Sequence, residues 1–224
     1  MESNVKDMES LWEGSLRRYS ELLASYTAAR LTGSRKAEEL YDLHVRDSLY
    51  SAPLLPEMGE VIDVGSGGGL PGIVWAICRP DLGVTLLDSS RKKCRALLEI
   101  AAALDLKNVS VVWERCEEHA LTARERYSLA SARAVAHAGV LAEYLSPLVQ
   151  RGGRLFAFKG PKGVDELAEV ENAQWGKLGL TPPQFLPYGP EDRSYFFALW
   201  SKKAPCPSAY PRKPGLALSK NWWR

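Results

Sequence analysis

Val61-Ile62-Asp63-Val64-Gly65-Ser66-Gly67-Gly68-Gly69-Leu70-Pro71-Gly72-Ile73 reads as a buried strand, a glycine turn and the start of a helix. The residues before Gly65 are apolar and β-prone, and Pro71 suits the first turn of a helix. Glycines at 65, 67 and 69 remove Cβ atoms where the backbone bends sharply and approaches a ligand closely. Asp63 sits at the strand's end, where a carboxylate could face that ligand. The dinucleotide fingerprint wants glycine at its first, third and sixth positions, and here the sixth is Leu70. A glycine turn alone leaves the ligand open.

The chain has 224 residues, room for one α/β domain with an extension or for two small domains. It is 46% hydrophobic and 25% charged, the balance of a water-soluble globular protein. No apolar run is long enough to span a membrane, and the first residues lack the basic-then-apolar order of a signal peptide. Cys78, Cys94, Cys116 and Cys206 have neither metal-ligand nor Cys-x-x-Cys spacing. They read as free thiols in a reducing compartment, so a cytoplasmic location and no metal are expected. A net charge of +2 does not establish a nucleic-acid partner, because the placement of the charges matters more than their sum.

Residues 5–51 read as helical. One apolar stripe runs through Leu11, Trp12, Leu16, Tyr19, Leu22, Leu23 and Tyr26, and a second through Leu40, Leu43, Val45, Leu49 and Tyr50. Gly33-Ser34 separates them, with Thr32 or Ser34 capping the second helix. Strands and helices then alternate. Strands are expected at 60–65, 84–88, 109–113, 128–132 and 154–158, with helices at 70–79, 90–105, 138–149 and 163–178. Arg151-Gly152-Gly153 reads as a turn. Phe185-Leu186-Pro187-Tyr188 reads as an edge strand because proline cannot donate to a central ladder, and Tyr195–Trp200 as its partner. Beyond Lys202 the Pro- and Lys/Arg-rich chain reads as an extended tail. The expected division is a helical extension over 1–55, an α/β domain over 56–203 and a tail over 204–224. This alternation implies a mostly parallel sheet that binds its ligand at the carboxyl ends of the strands.

Asp88 ends the second strand, 19 residues after Gly69. An acid at this distance in a βαβ site accepts hydrogen bonds from ribose hydroxyls, and a helix cap is the competing role. The pattern Asp-x-Gly-x-Gly-x-Gly resembles motif I of S-adenosylmethionine (SAM)-dependent methyltransferases. Arg115-Cys116-Glu117-Glu118 follows the third strand, as a loop beside the adenine in folds of this kind. Cys116 would offer an apolar wall or a backbone amide and Glu117 a hydrogen bond, the alternative being a solvated acidic loop.

An ordered set of motifs resembles the RsmG (GidB) family, which methylates N7 of a guanine in 16S ribosomal RNA. They are Leu43-His44-Val45-Arg46-Asp47-Ser48-Leu49, Asp63–Ile73, Leu86-Leu87-Asp88-Ser89 with Arg91-Lys92-Lys93, Arg115–Glu118, Ser131–Ala136, Lys159-Gly160-Pro161 and Ala209–Gly215. The resemblance implies a class I SAM-dependent methyltransferase: an α/β, Rossmann-like fold with a mostly parallel seven-stranded sheet and a helical N-terminal extension. It carries SAM contacts onto Gly65, Leu70, Cys116, Glu117 and Arg133. The residues themselves add Asp63, Gly67, Gly69 and Asp88. The implied partner is 16S rRNA or the small ribosomal subunit, and nothing in the pattern demands more than a monomer. Two departures concern RNA contact: Arg30-Leu31-Thr32 replaces the family's Asn-Leu-Thr, and Asp192-Arg193-Ser194 its Glu-Arg-His. Trp222-Trp223-Arg224 matches no family motif.

Guanine N7 carries an in-plane lone pair and no proton, so no catalytic base is required and alignment is the main demand. Arg133 could hold the methionine carboxylate or face the RNA. His44 is a substrate-side candidate, with bracing of a helix as its structural role. His119 and His137 have no evident partners in the sequence. Lys159, Arg193, Arg212 and Lys213 are candidate RNA contacts, along with Arg91, Lys92, Lys93, Lys162, Lys202 and Lys203. The other readings are a methyltransferase for a small molecule or protein, and a nucleotide-binding module without catalysis. A NAD-dependent oxidoreductase is disfavoured by Leu70.

Overall fold

β1 (Glu60–Val64) runs directly into the glycine turn and is buried at every residue but its first. The computed structural model describes residues 2–189 and 194–223, and the chain divides into units of residues 1–114 and 115–224. In the first unit β2 (Gly83–Asp88) and β3 (Val109–Trp113) complete a parallel order β3-β2-β1. The β1–β2 register opposes Asp63 to Leu86 and Val64 to Leu87.

α1 (Glu2–Ser25) buries Leu16, Tyr19 and Leu23, whereas Leu11 is exposed. Five residues before Leu16, Leu11 points about 140° round the helix from it. α2 (Ala37–Leu40), a π-helical turn (Tyr41–Val45) and α3 (Arg46–Leu49) follow as one continuous segment. Its N-cap is Lys36, not Thr32 or Ser34. Ser34 instead accepts the Lys36 N–H and donates to the Glu39 carboxylate. α4 (Gly72–Cys78) is buried at every position, as an all-apolar helix must be. Asn108 closes its C-terminal end by donating to the carbonyls of Ala76, Arg79 and Leu82. α5 (Arg91–Ala103) packs on β2 and β3.

The second unit contains α6 (Cys116–Thr122), β4 (Tyr127–Arg133), α7 (Ala138–Leu145), β5 (Val149–Lys159), α8 (Gly163–Glu169), β6 (Gln184–Pro187), β7 (Phe196–Ser201) and α9 (Leu216–Ser219). β4 and β5 are parallel, β7 is antiparallel to β5 and β6, and the order β4-β5-β7-β6 leaves Pro187 on an outer strand. The edge strand expected at Phe185–Tyr188 and its partner at Tyr195–Trp200 are therefore present, paired antiparallel. Phe156, Phe158, Tyr188 and Phe197 fill its core with edge-on and stacked rings.

Four further expectations need correction. Arg115–Glu118 is not a loop: Arg115 caps α6, exchanging backbone and side-chain bonds with Glu118. Arg151-Gly152-Gly153 lies inside β5 as a bulge, five steps from Val149 to Arg154 against two from Tyr127 to Leu129. The helix expected over 163–178 stops at Glu169 and resumes as a 3-10 turn at Trp175–Leu178, the interruption spanning the turn-former Asn172. The tail is not free, because Cys206, Ala217 and Trp222 are buried. No described helix is long and apolar enough to cross a membrane.

All four cysteines are free and buried. Burial pushes the Cys78 thiol up to about 12 and raises Cys94, Cys116 and Cys206 as well. Burial also raises the phenols of Tyr26, Tyr41 and Tyr144 and lowers the Lys202 ammonium. Near the ordinary thiol value the unfolded chain loses protons that the native chain keeps, so stability must fall as pH rises there. Lys202 opposes this, but one amine stands against four thiols and three phenols. The thermal midpoint is therefore expected to drop between about pH 8 and pH 10, and Cys78→Ala to flatten that slope. Calorimetry across the range checks both.

Candidate cofactor site

The glycine turn hangs from the end of β2. The N–H groups of Gly65 and Ser66 both donate to the Leu87 carbonyl, at 2.8 and 3.1 Å. Asp88 extends the grip: its Oδ2 accepts the Gly67 N–H at 2.9 Å and its Oδ1 the Ser90 N–H at 2.8 Å. Lys93 Nζ lies 3.9 Å from the same carboxylate. The N-cap of α5 is Ser90, so Asp88 holds the turn and the residue that opens the helix together. Asp63 has no exposed surface, and its Oδ2 accepts the Gly72 N–H at 3.1 Å. It thereby fixes the start of α4 from beneath the turn.

The glycines serve two purposes. Gly65, Gly67 and Gly69 all have positive φ, at 72°, 58° and 97°. At Gly69 a Cβ would also meet Ile73 Cγ1 at 2.5 Å and the Tyr19 hydroxyl at 3.1 Å. At Gly67 it would find only the Gly65 carbonyl, at 3.8 Å. Gly69 is thus required by packing, while Gly67 leaves a bare backbone edge with open space beside it. Leu70 is half-buried, next to a cis bond to Pro71. From α1, the buried Tyr19 hydroxyl donates to the Gly68 carbonyl at 2.8 Å. Nothing in the helical periodicity separated Tyr19 from ordinary core.

In the second unit Cys116 and Glu117 are the first residues of α6, and both are buried. Cys116 Sγ lies 3.2 Å from the Tyr144 carbonyl, and burial holds the thiol protonated. Glu117 Oε1 accepts the Gly215 N–H at 3.1 Å, and the Tyr144 hydroxyl also bonds this carboxylate. Arg133 ends β4 with its guanidinium 5.4 Å above the Phe158 ring. The next residue, Ala134, has φ 55°, a strained conformation for a residue with a Cβ.

Several expected RNA contacts prove to be internal. Lys159 is buried, donating to the Ala136 carbonyl and the Glu166 carboxylate. Glu166 also accepts the Ala138 N–H, so this ion pair fixes the segment after Arg133. Lys202 is buried against Ser146 and Glu125. Arg212 forks onto Glu143, which has no exposed surface. Lys213, Arg91, Lys92, Lys162 and Lys203 are exposed, and Arg91 lies over the Trp113 ring. Arg193 lies outside the described residues. His44 is half-buried in the π-helical turn, where its carbonyl accepts the Ser48 hydroxyl. His119 and His137 do have partners: His119 Nε2 is 2.8 Å from the Tyr127 hydroxyl, and His137 Nδ1 accepts the Gly139 N–H. No group of three or more metal-ligating side chains occurs among the described residues.

The family model for GidB, rRNA small subunit methyltransferase G, matches residues 13–185. The chain belongs to the GidB family. Its similarity to curated members is extensive. It is 37% identical over 210 residues to ribosomal RNA small subunit methyltransferase G of Moorella thermoacetica, covering 90% of this chain and 87% of that one. It is 43% identical over 198 residues to the protein of the same name from Symbiobacterium thermophilum, covering 83% and 80%. Among solved structures, a mutant 16S rRNA (adenine(1408)-N(1))-methyltransferase from Catenulisporales acidiphilia, with cosubstrate SAM, matches with a TM-score of 0.53 at 14% identity, over 74% of this chain and 94% of that one. That likeness is one of fold, the class I SAM-dependent methyltransferase.

For this GidB chain the two glycines make a contrasting pair. Gly69→Ala should lower the thermal midpoint strongly, costing about 3 kcal/mol from overpacking and positive φ together. Gly67→Ala should cost only about 1 kcal/mol of stability while weakening SAM binding more than tenfold. Thermal melts and calorimetric titration of both variants check the contrast.

Proposed function

We propose that this GidB-family chain transfers a methyl group from SAM to N7 of a guanine in small-subunit (16S) ribosomal RNA. The observation that carries the reading is the glycine turn of a GidB-family chain, with an open backbone edge at Gly67 tethered by buried Asp88. A bare edge suits close approach of a nucleoside. Each carboxylate oxygen of Asp88 spends one lone pair on a backbone N–H and retains capacity to accept from ribose.

In this reading Gly65, Gly67, Leu70 and Asp88 contact the cofactor, with Asp63 and Gly69 shaping the turn behind them. Cys116 supplies an apolar contact, Glu117 a carboxylate acceptor and Arg133 a cation for the methionine carboxylate. Bound SAM supplies an electrophilic methyl group on a sulfonium. The residues need only hold the acceptor in line and keep competing nucleophiles out, since guanine N7 has no proton to lose. Positive charge passes to the purine, so acids near the ring favour the change and cations oppose it. The splayed base exposes its N7 edge, while Lys213, Arg91, Lys92 and Lys162 contact phosphate and set the salt dependence. One copy of the chain suffices.

Labelled methyl from SAM should appear on small ribosomal subunits or protein-free 16S rRNA lacking the modification. Cleavage mapping should place it at N7 of one guanine. No label on either substrate, or label at another atom, contradicts the reading. Asp88→Ala should raise the KM for SAM on the order of tenfold or more, because it removes a charged acceptor from the turn.

A further inference from the structure

Residues 206–222 lie strapped across the second unit. The Arg124 guanidinium donates to the carbonyls of Cys206, Pro207 and Tyr210. Arg212 grips Glu143 of α7: Nε lies 2.9 Å from Oε1, Nη2 2.6 Å from Oε2, and the backbone N–H 3.0 Å from Oε1. The same Nη2 donates to the Lys220 carbonyl at 2.7 Å, closing the segment on itself. Trp222 Nε1 donates to the Gly139 carbonyl at 2.7 Å, and Trp223 stacks on His137 with ring centroids 5.1 Å apart.

These anchors converge on Gly215. Only Lys213 and Pro214 separate it from Arg212, and proline fixes one of the intervening φ angles. Gly215 itself has φ 81° with open space where a Cβ would lie, so the turn, not crowding, requires glycine. That turn aims the Gly215 N–H at Glu117 Oε1, and the Tyr144 hydroxyl meets the same carboxylate. Glu143 is a buried charge and cannot stay buried unpaired, so Arg212 is held in place.

We infer that the C-terminal strap is a positioning element of the SAM site. Arg212, locked on Glu143, sets Gly215, and Gly215 sets the Glu117 carboxylate that receives the cofactor. This rests on the reading of Glu117 as a SAM contact. Arg212 is then a positioning residue and not a phosphate contact.

The test is a double-mutant cycle on the SAM dissociation constant, measured by calorimetry on the full chain with Arg212→Met, Glu117→Ala and the double variant. Arg212→Met should weaken SAM about tenfold, the scale of one misplaced charged hydrogen bond. It should raise the KM for SAM with kcat at saturating SAM nearly kept, and leave the salt dependence of RNA binding unchanged. In the Glu117→Ala background the Arg212 substitution should add almost nothing. Equal effects of Arg212→Met in both backgrounds overturn the inference alone, as does unchanged SAM affinity with weakened RNA binding. Unchanged SAM affinity in Glu117→Ala overturns the reading of Glu117, and the inference with it. If Arg212→Met fails to fold, Arg212→Lys keeps the buried charge paired and runs the same cycle with a smaller shift.

Discussion

The hydrogen bond from the Gly67 N–H to Asp88 is the contact on which the candidate site depends. The turn has few other ways to be held, since its glycines bring no side chains. Two of its N–H groups go to the Leu87 carbonyl and a third to Asp88, so the end of β2 grips it from one side. The parallel β1–β2 register brings that end level with the turn. A one-residue slip would turn the Asp88 side chain to the other side of the strand and release the turn. Asp63 does the corresponding work at the start of α4, and Tyr19 reaches the Gly68 carbonyl from α1. The turn is a preorganised backbone surface built from three separate elements.

What could be read from the chain beforehand follows from how local each signal is. The turn, its flanking strand and helix, and the acid at the next strand end all lie within thirty residues, and periodicity locates them. The Pro187 edge strand was legible because a missing N–H has one placement in a sheet. α6 was not, because Cys116–Thr122 spans only seven residues, too few for a helical stripe. The Gly152-Gly153 pair shows the limit of turn chemistry, since the same residues that make a turn also make a bulge.

The tail shows the same limit for charge. Its lysines, arginines and prolines have the composition of a solvated arm. The acid that captures Arg212 is Glu143, 69 residues away. Its only sequence trace is a carboxylate inside the apolar run Val140–Leu145. Lys159 with Glu166 and Lys202 with Glu125 repeat the pattern: a cation that sequence assigns to the surface is spent inside. Such pairs leave fewer cations for RNA than composition suggests. Lys213, Arg91 and Lys92 remain exposed.

The central claim is that this turn, with leucine where a dinucleotide site has its third glycine, selects SAM. Parallel calorimetric titrations of the full chain with SAM and with NAD test it most directly. Saturable binding of SAM at one site and no binding heat with NAD is the predicted result. Binding of NAD, or of neither ligand, would contradict it.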